Sequence, residues 1–433
     1  MNVVLISTYD LGRQPFGLAS PAAWLRRAGH EVVTVDLSRD KLPVGAVTAA
    51  GMFAVYLPMH TATRLAIPVI DRVRATNPSA TICAYGLYAS LNEALLREHG
   101  VSVVLGPEAE AELVSLADGS PTAPSSTLPR LPFVQPDRSS LPALDRYATL
   151  QMPDGSRRIV GATDATRGCK HRCRHCPIVP VYDGQFRVVS VDVVLADIRA
   201  QVEQGAAHIT FGDPDFLNGP THAKKIIESL HREFPHVTYD VTIKVEHLLA
   251  HSELLPVLAG TGCLFVTSAV ESVDDDVLLK LEKGHTRSDF IAAAARCRSA
   301  GLTLSPTFVA FTPWTTIAGY MDLLTVVADL DLVSNVAPVQ WGIRLLVTWQ
   351  SRMLELPEIQ SAVGPFDART LTFPWAHSDP RVDLLQQQVM SLAGVKGMQS
   401  RADIFRAVCE LAHVNLLLPS RSAIPYMNEP WYC

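Results

Sequence analysis

The sequence predicts an α/β protein in which two parallel-sheet domains are joined by a proline-rich linker. Strand-like apolar runs alternate with helical patterns from residue 3 to residue 118, and the alternation resumes between residues 159 and 349. Prolines crowd the segment between these two regions. With 433 residues, of which 48% are hydrophobic and 18% charged, the chain is long enough for two or three domains with many buried strands.

The first domain, residues 1–118, is predicted to be a doubly wound parallel sheet, because a helical pattern follows each strand-like run. The predicted strands are 3–7, 31–36, 53–58, 81–85 and 101–105. Sheets of this kind bind ligands beyond the carboxyl ends of their strands, which here are followed by loops 8–17, 59–63, 86–90 and 106–110.

Residues 119–150 carry six prolines, whose spacing excludes a helix or a central strand and predicts an extended linker on the surface. Residues 151–350 are predicted to form a partial (β/α)6 barrel. Its strands are expected near 159–166, 207–212, 237–245, 264–270, 302–310 and 338–348. Residues 351–433 are predicted to be a small C-terminal extension with helices near 382–392 and 402–413.

The most informative motif is the C-x3-C-x2-C run of Cys169, Cys173 and Cys176, which follows the first predicted barrel strand. Three thiolates on one loop can each bind a corner iron of a 4Fe-4S cubane and leave the fourth iron open for another ligand. The run lacks the fourth cysteine of a ferredoxin and the paired C-x2-C of a zinc ribbon. A zinc site completed by His171 or His175, or three unrelated thiols, is the alternative.

This run resembles the radical S-adenosylmethionine (radical SAM) superfamily. The resemblance implies an enzyme that binds a 4Fe-4S cluster and S-adenosylmethionine, and cleaves the latter reductively to a 5'-deoxyadenosyl radical. The radical then serves hydrogen abstraction, or cobalamin-assisted methylation, of a substrate. The resemblance also implies that His175 lies near the cofactor, where the superfamily usually carries an aromatic ring.

Further cofactor residues follow from the same resemblance. They are Gly212, Asp213 and Asp215 at the position of the superfamily's G-G-E motif, and Glu271 and Ser272 after the fourth barrel strand. Thr307 on the fifth strand and Arg344 on the sixth complete the predicted ring of polar residues, and the guanidinium of Arg344 suits the two oxygens of a carboxylate. A turn with a helix-capping aspartate is the alternative for Asp213 and Asp215, and a structural ion pair is the alternative for Arg344. Lys244 and Glu246 are candidate catalytic residues, which alternation on the third strand would place on one face.

The first domain resembles the cobalamin-binding domain that precedes many radical SAM barrels, and residues 106–110 resemble its G-E-G-E turn. Its D-x-H-x-x-G motif is missing, because the first loop reads Tyr-Asp-Leu-Gly-Arg at residues 9–13. Bound cobalamin and a docking domain without cofactor therefore both stay open. The candidate cobalamin residues are Asp10, Gly12, Gly86, Gly106 and Glu108.

The last residues, Trp-Tyr-Cys433, resemble the CUAEP/CCAEP-tail radical SAM (seleno)proteins, whose chains close on Cys-Cys or Cys-selenocysteine and Ala-Glu-Pro. The resemblance implies that the sequence stops at a selenocysteine codon after Cys433. It makes Cys433 a candidate catalytic residue, as redox relay, thiol acid or covalent substrate handle. An unpaired terminal cysteine is the alternative.

Charge and hydropathy narrow the expected partners. The net charge of -6 and the pI of about 6.2 argue against broad nucleic-acid affinity, and no apolar run approaches the roughly 18 residues of a membrane span. We expect a cytoplasmic protein with reduced thiols, an external reductant such as flavodoxin or ferredoxin, and a small-molecule or peptide substrate. A metal-binding or electron-transfer scaffold, or a tRNA-modifying radical SAM enzyme, is the alternative function.

Overall fold

Our computed structural model describes residues 1–122, 128–393, 400–416 and 424–428. The first domain is a five-stranded, fully parallel sheet with strand order β2-β1-β3-β4-β5. Its strands are β1 Asn2–Ser7, β2 Glu31–Asp36, β3 Met52–Tyr56, β4 Thr81–Tyr85 and β5 Val103–Val104. The prediction of a doubly wound sheet is confirmed, because helices on both faces bury the apolar runs that form its central strands.

Six helices cover this sheet: α1 Phe16–Arg27, α2 Val44–Ala49, α3 His60–Thr76, α4 Leu87–Leu91, α5 Glu93–Glu98 and α6 Glu110–Ala117. The strand order reverses at β1, so the loops that follow β1 and β3 border the crevice at the carboxyl ends of the strands.

The second sheet has seven strands in the order β13-β12-β11-β10-β7-β6-β14 and curls into a half-barrel. Its strands are β6 Thr149–Gln151, β7 Arg157–Thr163, β10 His208–Phe211, β11 Thr238–Thr242, β12 Cys263–Glu271, β13 Thr303–Phe308 and β14 Tyr426–Asn428. Strands β7 and β10 to β13 are parallel, whereas β6 and β14 add an antiparallel edge. A separate hairpin joins β8 Thr166–Gly168 to β9 Phe186–Val188.

Eight helices follow the strands of the half-barrel in the described part of the chain. They are α7 Val179–Tyr182, α8 Val191–Glu203, α9 Pro220–Glu233, α10 Val245–Ala250, α11 Leu255–Gly260, α12 Asp275–Lys280, α13 Arg287–Ser299 and α14 Ile317–Asp329. In α9 the buried side chains are Ala223, Ile226, Ile227 and Leu230, which form a single stripe. The extension adds α15 Pro357–Ala362, α16 Pro380–Ala393 and α17 Arg401–Leu411. No helix in the described part of the chain is long and apolar enough to span a membrane.

The predicted sixth barrel strand, 338–348, is wrong. Residues Pro338–Trp341 form a 3-10 helix, and the segment contributes to the sheet only one isolated bridge, between Phe311 and Arg344. Proline lacks the amide that a ladder strand donates. Trp341 is buried between Phe308 and Phe405, so this segment closes the half-barrel with a side chain instead of a strand.

The predicted surface linker is also partly wrong. Arg138 is buried, and its guanidinium forms an ion pair with Asp197 of α8 at 2.7 Å. It also donates to the Ala162 carbonyl at 2.6 Å and to Gln14 at 2.8 Å. The linker therefore runs between the two sheets, and its Arg138 guanidinium binds groups from both domains. The boundaries of the domains remain a prediction.

Candidate active site

Three cysteines lie on the loop between β8 and α7, beyond the carboxyl end of β7. Cys173 is buried, Cys169 and Cys176 are partly buried, and all three thiols are free. The Cys176 amide donates to the Cys173 carbonyl at 3.1 Å and turns the loop back on itself. Gly168 precedes the loop with a φ of 77°, and a side chain there would lie 2.4 Å from the Tyr182 ring. Only glycine therefore allows the chain to enter this loop.

The thiols of this loop need a nearby positive charge in order to ionise. Burial raises the pKa of Cys169 to about 11 and that of Cys176 to about 12, and the neighbouring thiols raise both further. Lys244 acts against this on Cys169, and Lys283 acts against it on Cys176. Because the thiolate is the form that binds metal, three converging thiols beside two ammonium groups fit a 4Fe-4S cluster.

A buried ion cluster centred on Glu271 lies beside the cysteine loop. The Glu271 carboxylate is 3.0 Å from His175 Nε2 and 3.6 Å from Lys283 Nζ. Burial raises the pKa of Glu271, but Lys283 and His175 outweigh burial and bring it to about 2. Glu271 has a φ of 69°, a region rarely adopted by residues other than glycine, at a bulge in β12. Two of the predicted cofactor residues, His175 and Glu271, therefore meet next to Cys176.

The side chains of Ser272 and Thr307 have different surroundings, a local turn and the barrel cavity. Ser272 Oγ accepts a hydrogen bond from the Asp274 amide at 3.1 Å, so it caps the turn that leads into α12. Thr307, on β13, lines the cavity inside the half-barrel. The predicted pairing of Ser272 with a ribose therefore competes with a local turn, whereas Thr307 lies where a ligand of the barrel can reach it.

Arg344 lies outside the barrel cavity. Its guanidinium pairs with Asp383 at 2.7 Å, donates to the Trp375 carbonyl and lies 3.5 Å from the centre of the Trp375 ring. This is the structural ion pair that the sequence left open. Because these groups occupy the guanidinium, the predicted carboxylate clamp is not supported.

The loop after β10 contains Gly212 and Asp213. Gly212 lines two cavities, one inside the half-barrel and one between the two domains, and a side chain there would lie 2.4 Å from Asp164 Oδ1. The two oxygens of Asp213 accept from the Ala165 amide at 2.9 Å and from Thr166 Oγ1 at 2.6 Å. Burial, assisted by Asp164, raises the pKa of Asp213 to about 7. Asp213 therefore holds the turn between β7 and β8, in addition to any contact with a cofactor.

Asp215 is fully buried and lines neither the half-barrel cavity nor the cavity between the domains. Its Oδ1 accepts from the Leu217 amide at 3.2 Å, which is the capping role left open by the sequence. Its Oδ2 lies 2.7 Å from His247 Nδ1 and 3.3 Å from His171 Nε2. Burial raises the pKa of Asp215, but the two histidines outweigh burial and bring it to about 2. The predicted contact with S-adenosylmethionine is not supported, because two imidazoles already surround this carboxylate.

Lys244 and Glu246 do not share a strand face as predicted, because β11 ends at Thr242 and α10 begins at Val245. They nevertheless pair, with Lys244 Nζ 3.2 Å from Glu246 Oε2. Lys244 is buried and Glu246 is exposed. Gly284 belongs to a turn at residues 283–286 and has a φ of 73°. This conformation allows the turn to pass close to Glu246. The pair therefore lies beside the cysteine loop, and its catalytic role remains a prediction.

The half-barrel encloses a cavity of about 310 Å³. Three hydroxyl side chains, Thr242 of β11, Thr267 of β12 and Ser305 of β13, are direct neighbours across adjacent strands and line this cavity. Parallel strands lie roughly 4.8 Å apart, so the hydroxyls form an evenly spaced row. Within the described residues this row makes no side-chain hydrogen bond, and its donors and acceptors face the cavity.

A second cavity, of about 370 Å³, lies between the two domains at the carboxyl ends of β1, β3 and β4. Of the candidate cobalamin residues, Asp10 and Gly86 line it. Burial raises the pKa of Asp10 to about 6, although Arg13 lowers it. Gly86 has a φ of 109°, and a side chain there would lie 2.8 Å from the Leu57 carbonyl oxygen. The predicted crevice therefore exists, but it is bounded partly by the second domain.

The other three candidate cobalamin residues do not line this cavity, but they contact segments next to it. The Gly12 carbonyl accepts from the Ala148 amide at 2.9 Å, and the Gly106 carbonyl accepts from the Gly86 amide at 3.2 Å. Glu108 is buried and engaged by Arg167 of β8 at 3.1 Å. The role predicted for the Glu108 carboxylate, contact with a cofactor, is therefore not supported, because this group links the two domains.

Arg167 is a residue that the sequence interpretation missed. Its guanidinium pairs with Glu108 and, at 2.7 Å, with Glu110. Tyr182 donates to Glu108 at 2.7 Å, and Ser20 donates to Glu110 at 2.6 Å. The available signals were an arginine two residues before the first cysteine and two acids in the turn at 106–110. Only the folded chain brings them together.

Cobalamin binding in the interdomain cavity remains a prediction. None of its described wall residues is a histidine that could bind cobalt. The rings of Tyr56 and Tyr85, 5.4 Å apart, occupy the ends of β3 and β4, and Tyr85 donates to the Gly17 carbonyl at 2.6 Å. A side chain at Gly17 would lie 2.1 Å from the Tyr56 ring. These rings form part of the cavity wall, and we derive no step of the reaction from cobalamin.

The candidate catalytic residue Cys433 lies outside the described residues. Its role therefore remains a prediction, as does the resemblance to the CUAEP/CCAEP-tail proteins.

Comparison with known proteins identifies the class. Residues 164–315, from the end of β7 to the loop before α14, match the family model described as the radical SAM superfamily. The match contains all three cysteines of the loop, Glu271 and the hydroxyl row. Residues 164–315 therefore match the radical SAM superfamily, whose members use a 4Fe-4S cluster and S-adenosylmethionine.

Similar proteins extend the likeness into the first domain. The hopanoid C-3 methylase of Methylococcus capsulatus is 25% identical over 321 residues, which cover 70% of this chain and 62% of the methylase. The cobalamin-dependent S-adenosylmethionine radical enzyme OxsB superposes with a TM-score of 0.70 at 14% identity, covering 95% of this chain and 71% of OxsB. The radical S-adenosylmethionine methyltransferase TsrM from Kitasatospora setae superposes with a TM-score of 0.66 at 16% identity, covering 92% and 90%. At these identities the structural likeness shows the fold of both domains, and the chain spans less than two thirds of the methylase.

Proposed function

We propose that this protein is a radical SAM enzyme that acts on a polar substrate held in the half-barrel. The observation that carries the proposal is the position of the three thiols, on one partly buried loop at the carboxyl end of the strands. The bound cluster would supply one electron to S-adenosylmethionine, which breaks its sulfur-carbon bond to give methionine and a 5'-deoxyadenosyl radical that removes a hydrogen atom from the substrate.

The chain's own residues would bind the thiolate ligands, orient the cofactor and exclude water. Cys169, Cys173 and Cys176 would bind three irons. Glu271 and His175 support this by their position beside Cys176, where a carboxylate and an imidazole suit the polar groups of S-adenosylmethionine. Thr307 and the Gly212 backbone line the cavity below and would contact the same molecule.

The polarity of the barrel cavity supports a substrate rich in hydrogen-bonding groups. The row of Thr242, Thr267 and Ser305 offers three hydroxyls, and each can both donate and accept. A purely apolar substrate would bury these hydroxyls without partners, at a cost of about 1–3 kcal/mol for each group. A small, hydroxylated or amide-bearing molecule or a peptide therefore suits the cavity better than a hydrocarbon.

The surface around the cysteine loop supports an acidic electron donor. Lys170 and Arg172 are exposed on the loop, with Arg172 paired to Asp183 at 2.9 Å, within a chain whose net charge is -6. A local basic patch speeds encounter with an acidic protein of the flavodoxin or ferredoxin kind and suppresses contact with basic ones.

The proposal is tested by 5'-deoxyadenosine formation. The chain is reconstituted with iron and sulfide without oxygen, reduced with dithionite, supplied with S-adenosylmethionine and assayed by mass spectrometry. We expect 5'-deoxyadenosine from the wild type and none from Cys173→Ala, because that variant lacks one of the three ligands.

Cys297→Ala is the matched control, because Cys297 is also buried but packs in α13, away from the loop. We expect this variant to keep the wild-type yield of 5'-deoxyadenosine. An equal yield from Cys173→Ala, or reconstituted wild-type protein that produces none, would refute the proposed function.

A further inference from the structure

Three metal-binding side chains converge behind the cysteine loop. His171 comes from the loop between Cys169 and Cys173, Asp215 from the turn after β10, and His247 from α10. One ligand atom from each residue, His171 Nε2, Asp215 Oδ2 and His247 Nδ1, lies within 4.8 Å of the other two. Neither the thiols nor the two large cavities use these atoms.

The geometry favours a metal ion over direct hydrogen bonds. Asp215 Oδ2 is 3.3 Å from His171 Nε2 and 2.7 Å from His247 Nδ1, yet within the described residues none of the three atoms makes a hydrogen bond. The atoms are close, but their bonding directions miss one another. In a tetrahedral zinc site with bonds of about 2.0–2.1 Å, neighbouring ligand atoms lie about 3.3 Å apart, and their lone pairs converge on a point between them.

Burial makes an unused carboxylate oxygen here costly. Asp215 is completely buried, and the His247 side chain is only 4% exposed. Oδ2 has two imidazoles beside it but no well-directed hydrogen bond, and a buried ionised oxygen normally has such a bond or a metal ion. The set of two imidazole nitrogens and one carboxylate oxygen matches the ligand preferences of zinc and of ferrous iron.

An outer carboxylate orients one of the ligands. Glu246 Oε2 lies 3.6 Å from His171 Nδ1, on the opposite side of the ring from Asp215. A carboxylate in this position favours the proton on Nδ1 and leaves the Nε2 lone pair free to bind a metal. Lys244 neutralises the same carboxylate, at 3.2 Å from Glu246 Oε2.

We propose that His171, Asp215 and His247 bind one divalent transition-metal ion of the zinc class, separate from the iron-sulfur cluster. The ion joins the cysteine loop to the β10 turn and to α10, so it fixes the loop between its first and second cysteines. The site stands on its own residues and does not depend on the proposed radical chemistry.

The test uses the full chain with Cys169, Cys173 and Cys176 all replaced by alanine, which removes the cluster and its thiols. Co²⁺ is titrated into the metal-free protein under exclusion of oxygen. We expect about one equivalent to bind with the visible absorption of cobalt in nitrogen and oxygen coordination, without a thiolate charge-transfer band, and to be displaced by Zn²⁺.

Two ligand variants, one control and one variant of the outer carboxylate are made in the same background. Asp215→Asn and His247→Ala should each lose the bound cobalt. His251→Ala is the matched control, because its ring is 5.5 Å from that of His247 but outside the triad, and it should keep one equivalent. Glu246→Gln should weaken binding about 10–100-fold, the usual effect of removing a carboxylate that orients a metal-bound histidine.

A second measurement keeps the test decisive if the triple-alanine chain does not fold, as judged by far-ultraviolet circular dichroism. Zinc and iron are then counted in reconstituted wild type and in Asp215→Asn. Zinc beside a full complement of iron in the wild type, and loss of zinc alone in the variant, supports the site. Absence of zinc, its persistence in Asp215→Asn, joint loss of both metals, or unchanged cobalt binding by the ligand variants overturns it.

Discussion

Replacing Arg167 by methionine should destabilise the protein far more than replacing an arginine of the same segment on the surface. Arg167 lies two residues before Cys169, and its guanidinium is the cation that both Glu108 and Glu110 contact. Its side chain is only 10% exposed, and those of the two acids are 0% and 3% exposed. The variant therefore leaves two carboxylates buried between the domains without a counter-charge.

The expected loss is about 3–5 kcal/mol of unfolding free energy, the usual effect of removing one partner of a buried ion pair. Tyr182 and Ser20 still donate to the two acids and limit the loss. Arg172→Met is the matched control, because Arg172 pairs with Asp183 at 2.9 Å but both side chains are more than 60% exposed. An exposed pair of this kind contributes less than about 1 kcal/mol.

Urea unfolding of both variants measures the difference, with far-ultraviolet circular dichroism as the probe. Burial already raises the pKa of Glu108, whereas Arg167 holds that of Glu110 below its usual value despite burial. Without the arginine both pKa values rise. Acids with raised values are most stable in the folded state when protonated, so the loss should shrink as the pH falls from 7.5 towards 5. Equal stability of the Arg167 and Arg172 variants, or a loss that grows on acidification, would refute this account of the interface.

Two further predictions concern buried charges near the same interface. Burial raises the pKa of Asp10 from 3.8 to about 6, which corresponds to about 3 kcal/mol, so Asp10→Asn should raise the melting temperature at pH 7.5. Stability from the protonated carboxyl is fully present below pH 3.8 and is lost as the pH rises through about 6, so the gain should vanish near pH 4; a gain independent of pH would contradict it. Arg138→Leu should cost about 3–5 kcal/mol, and adding Asp197→Leu should recover part of it, because the pair is then replaced by apolar side chains. A double variant less stable than Arg138→Leu in urea unfolding would contradict this second prediction.

The strands of both sheets were predictable because their apolar runs are buried on both faces. The five strands of the first sheet and β7, β10, β11, β12 and β13 of the second all lie at or within a few residues of the predicted positions. The segment 338–348 has a similar composition but begins at Pro338 and contains Gly342. There the buried Trp341 side chain, and not a ladder of backbone hydrogen bonds, closes the barrel. Composition alone does not distinguish these two ways of burying apolar surface.

The linker shows why segments rich in proline are predictable in only one respect. Their prolines exclude regular structure, and between residues 128 and 143 neither a helix nor a strand forms. Exposure does not follow from this. Arg138 is buried because Asp197, Gln14 and the Ala162 carbonyl surround it, and these partners lie 59, 124 and 24 residues away.

The candidate site was likewise predictable only in part. The spacing of the three cysteines predicted that they lie together, because side chains on one short loop need no long-range information. The direction of the side chains after β10 was not predictable, since Asp213 and Asp215 differ only in which neighbours the fold brings to them. The hydroxyl row depends on the register of β11, β12 and β13, which local sequence does not specify.

The barrel cavity is built from parts of the chain that a domain-by-domain interpretation keeps apart. Leu11 and Arg13, from the first loop of the first domain, line it together with Arg401 and Tyr426 of the C-terminal extension. Tyr426 belongs to β14, which pairs with the edge strand β6, and the Arg401 guanidinium lies 4.5 Å from the centre of its ring. Burial lowers the pKa of Arg401 to about 10, so this cation is held in a weakly solvated place at the cavity wall. A substrate in the half-barrel would therefore contact all three parts of the chain, and substitutions in the first loop or in β14 should change substrate binding without touching the thiols.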